Sequence, residues 1–117
     1  MSRWARARAI PVLLAVACAA LDVSGTYEGV QAAAGAGARH VRVTLKPDGA
    51  AAVSSAYTAR PSRFLVEGTW QADGNVITVK LDRGDLVFRR SGDYLFPTHW
   101  DPAAWSEAGP GELARVR

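Results

Sequence analysis

The chain has 117 residues, which is enough for one domain and too few for two. Its formal net charge of +3 comes from Arg3, Arg6 and Arg8, because residues 18–117 carry 11 Lys and Arg against 11 Asp and Glu. A neutral domain has no electrostatic reason to bind nucleic acid, whose affinity for proteins comes largely from neutralised phosphates. Cys18 is the only cysteine, so an internal disulfide is excluded.

The N-terminal residues have the pattern of a secretory signal peptide. Residues 1–8 are basic and residues 9–17 form an apolar run. That run is too short to span a bilayer of ~30 Å, which takes about 20 apolar residues. It fits the apolar segment of a signal that is removed on export. The sequence therefore predicts a signal peptide at residues 1–17.

Two processing sites compete at the end of this signal. The small-x-small triplet at residues 15–17 would release a soluble periplasmic protein. Residues 14–18 instead resemble a bacterial lipobox, in which Cys18 is lipidated, although Leu14 lies one position further back than usual. Because Cys18 is the only cysteine and falls where the signal should end, we favour a palmitate-bearing anchor on Cys18.

Residues 18–23 then form a lipid-anchored tether. Acyl chains contribute roughly 0.8 kcal/mol per buried methylene, so several chains together hold a protein firmly on a membrane. The expected location is the outer membrane, with the domain facing the periplasm, and the alternative is a soluble periplasmic protein.

Residues 24–117 are predicted to form one all-β domain. Stretches of alternating apolar and polar residues recur about every ten residues, separated by turn sequences such as Pro-Asp-Gly at 47–49. This spacing predicts a small, lipocalin-like, antiparallel meander barrel of about six to eight strands. Strands are expected at residues 24–30, 39–46 and 51–58, within a hairpin at 60–81, at 86–90 and at 94–96, where Pro97 ends the strand; residues 31–38 are expected to form a flexible loop.

The hairpin at residues 60–81 supplies the expected core anchor. Phe64 and Trp70 share one face of its first strand, and Trp70 is the largest apolar side chain in the hairpin. We predict that Phe64, Trp70 and Phe88 line the interior, as packed core or around one small apolar ligand. Arg90 shares the face of Phe88 and is expected at the barrel rim, beside an acidic group.

The tail at residues 98–117 contains Trp100 and Trp105, which are unusual in a disordered segment. Both are expected to cover an open end of the barrel. One helical turn is expected within residues 102–107 and a last strand at residues 112–116.

Four short motifs occur in the order seen in the NlpE-like family. They are Ser-Gly-Thr-Tyr-Glu-Gly at 24–29, Val-Thr-Leu-Lys-Pro-Asp-Gly at 43–49, Glu-Gly-Thr-Trp at 67–70 and Gly-Asn-Val-Ile-Thr-Val at 74–79. Their order and spacing after a lipobox-like signal carry the resemblance, which covers about residues 24–96. The chain thus resembles the N-terminal domain of a bacterial lipoprotein tied to copper resistance and surface sensing. The resemblance implies a lipocalin-like barrel in the cell envelope.

One departure from that family bears on copper. The family usually carries a Cys-x-x-Cys pair just after the first strand, whereas residues 31–38 contain no cysteine. Cu(I) prefers thiolate and thioether ligands. Neither a thiolate copper site nor a redox-sensing disulfide is therefore carried over, and no cofactor is expected.

No catalytic set is visible in the sequence. His99 and Asp101 are the nearest candidates for a metal site, but one histidine and one carboxylate supply too few ligands, so no metal site is predicted. His40 falls on the outward face of its strand, and no serine stands in a Gly-x-Ser-x-Gly elbow. We expect a non-enzymatic binding or stress-sensing lipoprotein with an envelope protein as its partner. The alternative is a periplasmic carrier of a small apolar ligand.

Overall fold

Alternating apolar and polar residues fold the chain into strands that pair in sequence order. The computed structural model describes residues 22–33, 37–59, 63–105 and 108–116, so the predicted signal and Cys18 lie outside the described residues. The strands are β1 Gly25–Ala33, β2 Gly37–Leu45, β3 Ala50–Tyr57, β4 Arg63–Asp73, β5 Val76–Leu81, β6 Gly84–Ser91, β7 Tyr94–His99 and β8 Leu113–Arg115, and the short helix α1 spans Pro102–Trp105. In the described ranges, no helix has the length and apolar character to cross a bilayer.

The eight strands form a closed antiparallel barrel in the order β1 to β8. Each strand pairs with its neighbour in sequence, and β8 closes the ring by pairing with both β1 and β7. The predicted all-β meander barrel is therefore confirmed, with the strand number at the top of the expected range.

The core lies inside the barrel and follows the period-two pattern of the strands. Val41, Val43 and Leu45 of β2 point inward, as do Ile77 and Val79 of β5. Burying such side chains contributes about 25 cal/mol for each Å² of apolar surface removed from water. The other buried apolar residues are Val23, Tyr27, Ala51, Val53, Trp70, Leu86, Phe88, Leu95, Trp105 and Leu113.

The two ends of the barrel differ. The end where the chain enters β1, here called the N-terminal end, also carries the β2–β3, β4–β5 and β6–β7 turns. The opposite end, here called the helix end, carries the β5–β6 turn and the β7–β8 connection with α1. In an up-and-down barrel successive turns alternate between the two ends, so the order of a turn along the chain shows at which end it lies.

Two expected boundaries are wrong. The loop expected at residues 31–38 is largely strand, because β1 runs to Ala33 and β2 begins at Gly37, and these two residues pair. Ladder hydrogen bonds between the strands outweigh the low intrinsic strand preference of alanine.

Pro97 does not end β7, which continues to His99. The β6–β7 register shifts between Val87 and Phe88, and Pro97 pairs with Phe88 beside this irregularity. Proline lacks an N–H to donate, and a bulge is a place where a strand tolerates that loss. The predicted last strand and helical turn are present, as β8 and α1.

Candidate functional site

A gap in the barrel wall arises at the helix end because β4 is longer than β5. β4 has 11 residues and β5 has 6. β4 pairs with β3 from Arg63 to Thr69, but with β5 only from Thr69 to Asp73. The first half of β4 therefore extends past the end of β5 and, among the described residues, pairs along one edge only.

Gly68 marks the point at which β4 leaves β5. A Cβ atom built there would overlap the carbonyl oxygen of Lys80 and would lie 3.1 Å from the Leu81 side chain. Glycine permits such close approach of one backbone to another. The absence of a side chain at Gly68 thus lets β4 pass close to the end of β5, beyond which the wall is open.

The gap forms a cleft, here called the end cleft, with a volume of about 380 Å³. Phe64 and Val66 of β4 face Leu81 across it, and the ring of Trp105 packs edge-to-face on Phe64 with ring centres 5.5 Å apart. The other lining residues are Leu65, Arg83, Gly84, Asp85, Asp101, Ala103 and Ala104. An apolar floor with charged groups at its rim is typical of a binding cleft.

Trp105 and Arg39 close the helix end beside this cleft. Trp105 is 3% exposed and Arg39 is 5% exposed. The Arg39 guanidinium donates from Nε to Ser55 Oγ at 2.9 Å and from Nη1 to the Trp105 carbonyl at 3.2 Å. It also lies 4.7 Å from the centre of the Trp105 ring, a cation–π distance. Arg39 therefore holds α1 against the barrel interior.

Sequence reasoning missed Arg39, although the signal was present. The alternation that places Val41 inward also places Arg39 inward, two residues earlier. A charged residue on an apolar face at a strand end indicates either a rim position or a buried cation with partners. Here its partners are Ser55 and Trp105, which lie far away in sequence.

The structure does not bring Phe64, Trp70 and Phe88 together at one site. Phe64 lies in the end cleft and is 37% exposed, whereas Trp70 and Phe88 are packed in the core. Trp70 sits towards the N-terminal end, where its indole Nε1–H donates to the Lys46 carbonyl at 2.8 Å. Of the three residues, only Phe64 lines the cleft.

His99 and Asp101 lie close to α1 but make different contacts. The Asp101 carboxylate accepts the N–H of Ala103 at 3.0 Å, and its carbonyl accepts the N–H groups of Ala104 and Trp105, which makes Asp101 the N-cap of α1. His99 is exposed in a shallow surface depression with Trp100. In the described ranges, no group of three His, Cys, Asp or Glu residues is placed to hold a metal ion.

Three side chains fix the chain where it enters the barrel. Arg115 Nη2 donates to the Asp22 carbonyl and to the Tyr27 hydroxyl, both at 2.7 Å. The Tyr27 hydroxyl in turn donates to the Val23 carbonyl at 2.6 Å. Arg90 forms an ion pair with Asp22 at 2.8 Å, which is the acidic neighbour predicted for it. We call Arg90, Arg115 and Tyr27 the N-terminal clamp; it lies at the end opposite the end cleft.

Comparisons with known proteins give structural likeness without sequence matches. No protein-family model matches the chain, and no curated protein is significantly similar in sequence. The solved structure of the Cpx pathway activator NlpE from Escherichia coli superposes with a TM-score of 0.59 at 23% identity, covering 64% of this chain and 42% of that one. A chain from Shewanella oneidensis, provisionally assigned as a lipoprotein, gives a TM-score of 0.56 at 24% identity, covering 80% of this chain and 89% of that one.

This chain therefore spans less than half the length of that NlpE chain. The family resemblance read from the four sequence motifs is confirmed at the level of the fold. The protein therefore has an NlpE-like barrel fold.

Proposed function

We propose that the protein is an envelope lipoprotein whose barrel works as a non-enzymatic binding or sensing module at the outer membrane, facing the periplasm. Its fold is shared with the Cpx pathway activator NlpE and with a chain provisionally assigned as a lipoprotein. The basic and apolar residues 1–17, which directly precede Cys18, support this proposal. A partner protein of the envelope and a lipid anchor on Cys18 belong to this proposal, and nucleic acid does not.

The observation that carries the proposal is the placement of the N-terminal clamp opposite the end cleft. The clamp fixes Asp22, which is four residues after Cys18. Four extended residues reach roughly 14 Å, so a lipid on Cys18 would keep the N-terminal end close to the membrane. The end cleft would then point away from the bilayer, where an envelope protein can reach it.

Labelling with radioactive palmitate tests the anchor. We expect label in the wild-type chain and none in a Cys18→Ala variant, with wild-type protein in the membrane fraction. Equal labelling of the two chains, or release of the wild-type protein with the soluble periplasmic fraction, would contradict the lipid anchor and favour the alternative cleavage after residue 17.

The end cleft also supports a second candidate function, a periplasmic carrier of a small apolar ligand. Its volume of about 380 Å³ lies within the range of small-molecule sites, and Phe64, Leu81 and Trp105 supply apolar surface. The ligand would bind beside Phe64 rather than around Trp70 and Phe88, which are buried in the core.

Binding of an environment-sensitive apolar dye distinguishes the two functions. A carrier should bind the dye in the wild type, lose it in Phe64→Asp and keep it in the matched surface variant Phe96→Asp, since Phe96 is equally exposed at 37% but lies outside the cleft. Absence of saturable binding to the wild type would exclude the carrier and leave the partner-binding function in place.

No copper chemistry enters the proposed function. The residues between the first two strands, where the family carries its cysteine pair, contain no cysteine or methionine in this chain. A soft Cu(I) ion would find neither a thiolate nor a thioether there.

A further inference from the structure

The free edge of β4 has a backbone pattern suited to pairing with another strand. The Trp70 N–H donates to the Gly49 carbonyl at 2.9 Å, so the backbone groups of Trp70 point towards β3. Backbone direction alternates along a strand, which turns Phe64, Val66 and Gly68 towards β3 as well. The N–H and C=O groups of Arg63, Leu65 and Glu67 therefore point away from β3, to the side where β5 is missing.

Nothing in the described part of the chain pairs with this edge. The β4–β5 ladder begins at Thr69, and no other backbone hydrogen bond between described residues involves residues 63–67 on that side. An unpaired row of backbone donors and acceptors on a strand edge is a template for β-augmentation. The occupant that satisfies such groups is an extended polypeptide segment.

The side chains on this edge are complementary to a second copy of the same edge. Arg63, Leu65 and Glu67 all lie on the outer face of β4, and Leu65 is 67% exposed. In an antiparallel pair centred on Leu65, Arg63 of one copy stands opposite Glu67 of the other, and the two Leu65 side chains meet at the two-fold axis. Opposite charges directly across a strand pair are stabilising, and like charges would be destabilising.

Their surroundings leave these three side chains available. Across β3 their neighbours are Ala56, Ser54 and Ala52, all small. Among the described residues, neither Arg63 nor Glu67 forms an ion pair. A strand from another protein would match these charges only if it carried an acidic and a basic residue in the same order. A second copy of this chain carries them by symmetry.

We propose that two copies of the protein associate through their β4 edges, in an antiparallel pair centred on Leu65. Such a pair makes an isologous interface with about six backbone hydrogen bonds from residues 63–67 of both chains. On the inner face, Phe64 and Val66 of the two copies meet above the end clefts. The proposal does not depend on lipidation of Cys18, nor on a ligand in the cleft.

Charge exchange is the decisive experiment. The full chain is studied by sedimentation equilibrium over a wide concentration range under reducing conditions, so that Cys18 cannot cross-link copies. We expect a reversible dimer for the wild type. Arg63→Glu alone and Glu67→Arg alone each place like charges opposite one another twice per dimer, and each should weaken dimerisation by about tenfold or more. The double exchange, Arg63→Glu with Glu67→Arg, should restore wild-type affinity.

Two further variants separate edge pairing from other contacts. Leu65→Pro removes an N–H that is unbonded in the monomer, so its circular dichroism should be unchanged while the dimer is lost. Val30→Lys is the matched surface control, since Val30 is 63% exposed on β1 and should not affect dimerisation. A monomeric wild type at every concentration, a double exchange no better than the single ones, or a dimer weakened equally by Val30→Lys would each overturn the proposal. If Leu65→Pro does not fold, the charge exchange still decides.

Discussion

Single side chains at the two ends of the barrel perform distinct structural tasks. At the N-terminal end, Trp70 fills the core and ties its indole to the β2–β3 turn through the Lys46 carbonyl. At the helix end, Arg39 holds the Trp105 carbonyl and ring. Trp70 was predictable from its size and strand face. Arg39 was not predicted, because its partners come from distant segments that the local pattern does not contain.

We expect Trp70→Phe to destabilise the protein by about 1–2 kcal/mol. The variant loses the indole hydrogen bond and leaves a small void, but the Lys46 carbonyl still accepts the Gly49 N–H and is not left unpaired. Urea unfolding followed by circular dichroism measures the change. Val30→Ala, at an exposed position, is the control and should stay within about 0.5 kcal/mol of the wild type. An unchanged urea midpoint for Trp70→Phe would show that the hydrogen bond from the indole to the Lys46 carbonyl adds no measurable stability.

Gly68→Ala should be the most damaging glycine substitution in the barrel wall. The new Cβ overlaps the backbone carbonyl of Lys80, and backbone yields less easily than a flexible side chain. We expect a loss of about 2–4 kcal/mol. Gly74→Ala is the matched control, because nothing lies near its Cβ and only its φ of +61° is unfavourable; its cost should be about 1 kcal/mol. The reverse ranking in thermal unfolding would contradict the close approach of β4 and β5.

The regular apolar rows of the strands could be predicted from the sequence, but the relative lengths of the strands could not. The prediction of alternating strands succeeded for β2, β5 and β6, since their apolar rows are regular. It failed for the alanine-rich part of β1, whose pairing with β2 is a tertiary effect. The gap beside β4 could not be predicted either, because it depends on how far β5 extends relative to β4 in the assembled sheet.

The short strand β8 depends on the N-terminal clamp. Arg115, the last residue of β8, makes two of the hydrogen bonds of this clamp. We expect Arg115→Ala to lower the free energy of unfolding by about 1–3 kcal/mol, since the Tyr27 hydroxyl and the Asp22 carbonyl lose a charged donor. Arg42→Ala is the matched control: the ion pair between Arg42 and Glu28 is exposed, and its loss should cost at most about 1 kcal/mol. Equal midpoints in urea for the two variants would show that the clamp adds no stability.

At the scale of the whole molecule, the barrel has a side with long strand pairings and a side with short ones. β1, β2 and β3 pair over long ladders, from Gly25↔Leu45 to Ala33↔Gly37 in the first and over seven positions in the second. β8 has three residues and pairs at two positions with each neighbour. Stability is therefore distributed unevenly around the ring.

Native-state hydrogen exchange should reveal this difference. We expect the amides of β8 and the adjoining edge of β7 to exchange through local opening, at free energies below that of global unfolding. The amides of Thr44 and Ala52, which form a hydrogen-bonded pair in the long ladder between β2 and β3, should exchange only on global unfolding. Uniform protection around the barrel would contradict the prediction.

The way the ring closes has a consequence for folding. The closing contact joins Tyr27 and Arg115, nearly opposite ends of the described chain, so it forms at the largest loop-entropy cost in the molecule. Before that contact forms, the sheet has two unpaired edges, one on β1 and one on β8. A nascent or damaged chain in that form would expose unpaired backbone donors and acceptors along both edges, so it would tend to self-associate through them.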